Sequence, residues 1–216
     1  MHKTSLWVSG LGVAIVLAGC AAVAQSPDYD ALLGQMMKTS FRDQGIAKVD
    51  RLQQDPSNAE CSKAEGRPLP DTLAKAIEMA NLATVKMPSD GSFLGDWKEG
   101  EKLAQNGRGM TWSDASAATS ANGGNCYNCH QISKSEISFG TIGPSLYNYG
   151  KLRGVSDPAS PASKAMVEYT WGKIYNAKAY NACSGMPRFG HAGMLDEKQI
   201  KHIMALLLDP KSPVNQ

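Results

Sequence analysis

Six consecutive residues, Asn125-Cys126-Tyr127-Asn128-Cys129-His130, constrain this chain more than any other stretch. Two thiols three positions apart with an imidazole directly after them are the sequence form of one covalently held c-type haem. Each thiol can add to one vinyl group of the same porphyrin, and the adjacent imidazole then lies under the iron. The competing reading is a zinc half-site, because paired thiolates also suit tetrahedral coordination. That reading needs further ligands at close spacing. The other Cys and His residues of the mature chain, Cys61, Cys183, His191 and His202, form no second paired motif.

The start of the chain agrees with a haem protein matured outside the cytoplasm. Lys3 precedes an apolar run from Leu6 to Leu17 and then small residues, which is a secretory leader rather than a membrane span. A periplasmic location is therefore expected. Two processing sites compete within residues 1–24. Leu17-Ala18-Gly19-Cys20 has the form of a lipobox, which would leave Cys20 lipidated. Ala22-Val23-Ala24 has the small-x-small form of ordinary cleavage, giving a soluble product that begins near Gln25. Export also accounts for five cysteines: Cys20 belongs to the leader, Cys126 and Cys129 to haem, and Cys61 and Cys183 remain as a pair. Two spare thiols in an oxidising compartment are expected to form a disulfide, the alternative being two separate thiols. The loop so closed exceeds a hundred residues, for which chain entropy gives roughly 4 to 5 kcal/mol.

The mature chain of about 190 residues allows one ordinary core plus an accessory segment. Hydrophobic periodicity predicts an all-α architecture, with an accessory helical region over 25–91 and a haem-binding domain over 92–216. Tyr29, Leu32, Leu33 and Met36 fall at i, i+3, i+4 and i+7 of a first amphipathic helix. A second runs from Asp71 or Thr72, with Leu73, Ile77 and Ala80 on one face, to a stop at Met87-Pro88. Between them Asp55-Pro56-Ser57-Asn58 and Gly66 to Pro70 read as loop. Trp97, Gly100, Leu103 and Ala104 share a face of a short helix before the haem motif, and Ser113 to Gly124 reads as loop. Val167, Trp171 and Ile174 mark a later helix whose stripe is both core and a surface for the porphyrin. The last helix runs from Glu197 to Leu208, capped by Asp196 with Gln199 three residues on and stopped by Asp209-Pro210.

The second iron ligand must come from the segment after residue 175. Met186, in Gly185-Met186-Pro187-Arg188-Phe189-Gly190, lies in a sequence that forms an irregular loop, which lets a thioether point inward. Met194 and His191 are its rivals. Met194 stands at the entry of the last helix, where a stapling role is expected of it. From Gln131 onward ten Lys and Arg face six Asp and Glu, a balance of +4 against −3 for the mature residues before it. Lys173, Lys178 and Arg188 are expected to form a basic surface near the haem edge that steers an acidic partner.

Taken together, Gly124 to His130, Gly143-Pro144-Ser145-Leu146, and Met186 to His191 followed by Leu195-Asp196-Glu197-Lys198-Gln199-Ile200 resemble class I c-type cytochromes, and among them the SoxX subunits of the thiosulfate-oxidising Sox system. The cytochrome resemblance covers roughly Gly91 to Asp209, and the extension carrying Cys61 lies outside the minimal pattern. It implies a class I cytochrome c fold holding one haem c. Cys126 and Cys129 would be the attachments and His130 and Met186 the axial ligands. The Pro144 carbonyl would receive the His130 ring N–H, and Leu146 would lie on the haem. It further implies a heterodimer with a SoxA-type subunit, which couples thiosulfate oxidatively to a cysteine of a SoxYZ-type carrier. This chain would then be the electron-transfer subunit of an L-cysteine S-thiosulfotransferase, delivering electrons to a soluble cytochrome acceptor. A free-standing periplasmic electron carrier would show the same haem residues.

Overall fold

The computed structural model of the chain describes residues 26–216. The leader, the lipobox at Cys20 and the cleavage position at Ala24 lie outside the described residues. Among the described residues there is no β-sheet, only one isolated antiparallel bridge between Gln44 and Ala47, so the all-α class holds. No described helix is long and apolar enough to cross a membrane.

Helix α1, Tyr29–Ser40, belongs to a unit that ends at Ser40. Its apolar stripe of Tyr29, Leu32, Leu33 and Met36 is solvent-exposed. Residues from Phe41 to Gln216 form the second unit. It contains α2, Pro56–Lys63; α3, Asp71–Leu82; α4, Trp97–Gln105; the short α5, Tyr149–Leu152; α6, Lys164–Tyr175; and α7, Glu197–Leu208.

Two expectations about the accessory region need correction. Asp55-Pro56-Ser57-Asn58 is the start of α2: the Asp55 carboxylate accepts from the Asn58 amide at 3.0 Å, and Pro56 occupies the first helical position, where its missing N–H costs nothing. Helix α3 ends at Leu82, five residues before Met87. The Thr84 hydroxyl donates to the Asn81 carbonyl at 2.6 Å, and the amides of Thr84 and Val85 reach back only three residues. That tightening uses up the carbonyls on which another α-turn would build.

The core lies where α7 meets α4, α5 and α6. Asp196 and Gln199 form a reciprocal capping box, each side chain bonding the other's backbone amide. Enclosure by three helices buries α7 far beyond one stripe: Ile200 and every residue from Ile203 to Leu208 are buried. The residue directly before its N-cap is Leu195, buried to 2% exposure, so the stapling position is Leu195's and not Met194's. Helix α4 crosses α7 at Gly100, where a Cβ would stand 2.7 Å from the His202 carbonyl carbon and 3.0 Å from the Leu206 Cβ. Only glycine permits that approach, and it brings the end of α4 to the haem motif. Trp171 of α6 is 1% exposed, stacks edge-on with Phe93, and donates its indole N–H to the Lys86 carbonyl at 2.8 Å.

Candidate functional site

The haem motif opens with a tight turn. Asn125 adopts φ of 50°, a left-handed conformation that Asn tolerates better than most residues, and Cys126–Asn128 forms a single turn of 3-10 helix. The His130 amide closes that turn on the Cys126 carbonyl at 2.9 Å. The thiols of Cys126 and Cys129 are not bridged to each other. Both line a cavity of about 150 Å³ that opens to solvent. His130, Leu146, Met186 and Phe189 line the same cavity, and α4, α6 and α7 close it with Ala104, Ile174, Ile203 and Leu206. Met194 and His191 are not in its wall. Of the α6 stripe only Ile174 reaches it, because Trp171 is turned onto Phe93 and the Lys86 carbonyl.

The loop after the motif holds the imidazole. His130 Nδ1 lies 2.7 Å from the Pro144 carbonyl oxygen. A carbonyl only accepts, so Nδ1 carries a proton, and the neutral tautomer that this bond selects has its lone pair on Nε2. Backbone bonds fasten this loop to the motif: Gly140 N–H to Tyr127 O at 2.7 Å, Gly143 N–H to Cys129 O at 2.8 Å, and Leu146 N–H to Gln131 O at 2.7 Å. At Gly143 a Cβ would stand 2.5 Å from His130 Nδ1 and 2.7 Å from Nε2, so any larger residue would push the ring aside.

Sequence reasoning missed one further pair. The Tyr127 hydroxyl donates to Glu101 Oε1 at 2.8 Å, tying the motif to α4, while Glu101 Oε2 is buried without a partner. Burial, and then the Glu101 carboxylate, raise the Tyr127 phenol above its ordinary range. Burial likewise pushes the Cys126 thiol up to about 12, so it stays protonated at neutral pH.

These residues fit a covalently held porphyrin. Two unbridged thiols and a singly oriented imidazole stand on one segment, a thioether comes from another, and the remaining wall is predominantly apolar. They fit zinc poorly. Among the described residues no three His, Cys, Asp or Glu side chains cluster to hold a metal ion, which leaves paired thiolates short of a tetrahedral set.

The expected basic docking surface is corrected by the structure. Lys178 is buried, 5% exposed, with its ammonium donating to the Ala182 carbonyl at 2.9 Å. Lys173 folds onto the Ala177 carbonyl at 3.3 Å, and Arg188, its side chain 18% exposed, pairs with Asp55. The three cations are turned inward onto acceptors that spacing along the chain does not reveal.

Those contacts belong to a wider seam. Cys61 of α2 is joined to Cys183 by a disulfide. The Ala182 amide donates to Glu78 of α3 at 3.2 Å, and Asn176 donates to Asn81 at 3.0 Å. Residues 55–86 are thereby fastened beside the Met186 loop, although none of them lines the cavity.

No family model matches the chain. A protein of Aquifex aeolicus (strain VF5) described as an uncharacterized lipoprotein is similar to it, 39% identical over 138 residues. The match takes in 62% of this chain, and the chain spans 59% of that relative's length.

Proposed function

We propose that this chain is a mono-haem c-type cytochrome of the class I fold, exported to the periplasm, and that it serves as the SoxX-type electron-transfer subunit beside a SoxA-type partner. The observation that carries the haem reading is one apolar cavity that gathers Cys126, Cys129, His130 and Met186, with His130 Nδ1 already engaged by the Pro144 carbonyl. The two thiols anchor the porphyrin. The Pro144 carbonyl holds the ring proton on Nδ1, which would leave Nε2 to bind the metal. Met186 would supply a second ligand, and Leu146, Phe189 and Ile203, which line the same cavity, would exclude water from it. When bound, the haem takes up and releases one electron, at a potential that a thioether ligand raises relative to two imidazoles.

If His130 and Met186 both bound the iron, no position on it would remain for substrate. Coupling of thiosulfate to the cysteine of a SoxYZ-type carrier then belongs to the SoxA-type subunit, and this chain passes the electrons to a soluble cytochrome acceptor. That assignment rests on the motif resemblance. The Aquifex relative's description as a lipoprotein favours acylation of Cys20 over cleavage after Ala24.

Expression with a c-type haem maturation system should give a denatured chain heavier by one haem. Native purification from the source cell should return it in a one-to-one complex with a second c-type cytochrome subunit. A chain without added haem would overturn the cytochrome reading. A haem-bearing chain that purifies alone would instead make it a free-standing carrier. Membrane fractionation of Cys20→Ala against the natural chain tests the anchor.

A further inference from the structure

Met186 sits in a stretch with no helix between Asn181 and Asp196, where its own amide makes one bond within the loop, donating to Ser184 Oγ at 3.3 Å. Further restraints come from outside the loop. Three residues before Met186, Cys183 is bridged to Cys61, and one residue earlier the Ala182 amide is held by Glu78. Two residues after it, the Arg188 guanidinium engages the Asp55 carboxylate and lies 3.5 Å from Asn81 Oδ1. All of these partners lie on or at the start of α2 and α3. Asp55 is itself fixed, because its Oδ1 caps α2 while its Oδ2 receives Arg188. Pro187, with its locked φ, is the only residue between Met186 and Arg188, so anchoring the Arg188 side chain limits how far the Met186 backbone can move.

The geometry points to the accessory helices α2 and α3 as a positioning device for the axial thioether, with Asp55 acting on Met186 through Arg188. The inference rests on the haem reading above and adds to it a role for the segment outside the minimal cytochrome pattern. Asp55 and Arg188 are positioning residues; neither lines the cavity.

The test uses the full-length holoprotein. Asp55→Asn keeps an acceptor for the α2 cap and removes the charge that holds Arg188; Arg188→Gln removes the other partner. Both are expected to retain one covalent haem, to lose part of the weak long-wavelength sulfur-to-iron band, and to show a lowered potential. Exogenous imidazole should displace the thioether at about tenfold lower concentration, with amide exchange faster over residues 182–188. Asp55→Glu should restore the band, and the double variant should be no worse than either single one. A band, potential and imidazole midpoint unchanged in both single variants would overturn the inference, even if their melting temperatures fell, because a purely structural role predicts that pattern. Should Arg188→Gln not accumulate, Asp55→Asn alone decides. Absence of haem from the natural chain would mark failure of the cytochrome reading itself.

Discussion

Replacing Cys61 and Cys183 together by serine removes the 122-residue covalent closure without leaving either partner as an unpaired thiol. The two positions are 122 residues apart. Chain entropy assigns a closure of that length about 4.9 kcal/mol at 25 °C, an upper figure because residual structure in the unfolded chain and lost native contacts act against it; about 2 to 5 kcal/mol is the expected range. Against a total stability of about 5 to 15 kcal/mol this is a large share. With a urea slope of about 2 kcal/mol/M, the midpoint should fall by about 1 to 2.5 M. The slope should also steepen, because an unfolded chain without the bridge exposes more surface. Urea titration followed both by far-UV circular dichroism and by the haem absorption band gives midpoint and slope from two probes. A midpoint within about 0.3 M of the natural protein's, with unchanged slope, would refute the reasoning. So would stoichiometric thiol labelling of Cys61 and Cys183 in unreduced, unfolded protein.

Met186→Ala should retain covalent haem but abolish the long-wavelength sulfur-to-iron band and lower the potential, read by redox titration; persistence of the band would move the ligand elsewhere. Gly143→Ala should cost about 1 to 3 kcal/mol in urea and perturb the haem spectrum, since its Cβ would stand 2.5 Å from His130 Nδ1; an unperturbed spectrum would show that the loop relaxes freely. The Asp55 carboxyl feels burial, which raises its pKa, but the Asn58 amide and Arg188 outweigh this and hold it below the ordinary value. A carboxyl depressed in the folded state adds stability above its unfolded pKa of about 3.9, and that stability is lost as pH falls through the folded value. The stability gap between natural protein and Asp55→Asn, measured by urea midpoints from pH 6 to 2.5, should therefore narrow below about pH 4; a gap independent of pH would remove the ionised Asp55 from the account.

How much of this was readable in advance varies with the reach of the interactions concerned. Helices α4 and α7 show strong periodicity, and their caps, Asp96 and the Asp196–Gln199 box, lie within a few residues of the helices they start. The same local signals were present for α2, where Asp then Pro is as much a helix entry as a turn; the polar, weakly periodic sequence that follows hid it. The Pro144 carbonyl could be expected because its loop follows the motif closely. Lys173, Lys178 and Arg188 were misjudged for the opposite reason. A cation's exposure depends on acceptors that may lie far away in sequence, and Asp55 is 133 residues from Arg188. Gly143 under the His130 ring, Gly100 at the helix crossing and the Tyr127–Glu101 bond depend on close approach of distant backbone, which leaves no mark in composition or spacing.

The Cys61–Cys183 bridge encloses the haem motif: Cys126 and Cys129 both lie within the covalent ring that it closes. This makes maturation a sorting problem among thiols. Four cysteines admit three complete pairings, and only one of them keeps the native bridge. Even that pairing joins Cys126 to Cys129, which must be reopened before either can take a vinyl group. Under the cytochrome reading proposed above, the compartment that receives this chain would have to oxidise one pair while keeping the enclosed pair reduced until haem is attached. A chain recovered with Cys61 joined to Cys126 or Cys129 would be a dead end, unable to hold haem by two thioethers or to tether the Met186 loop.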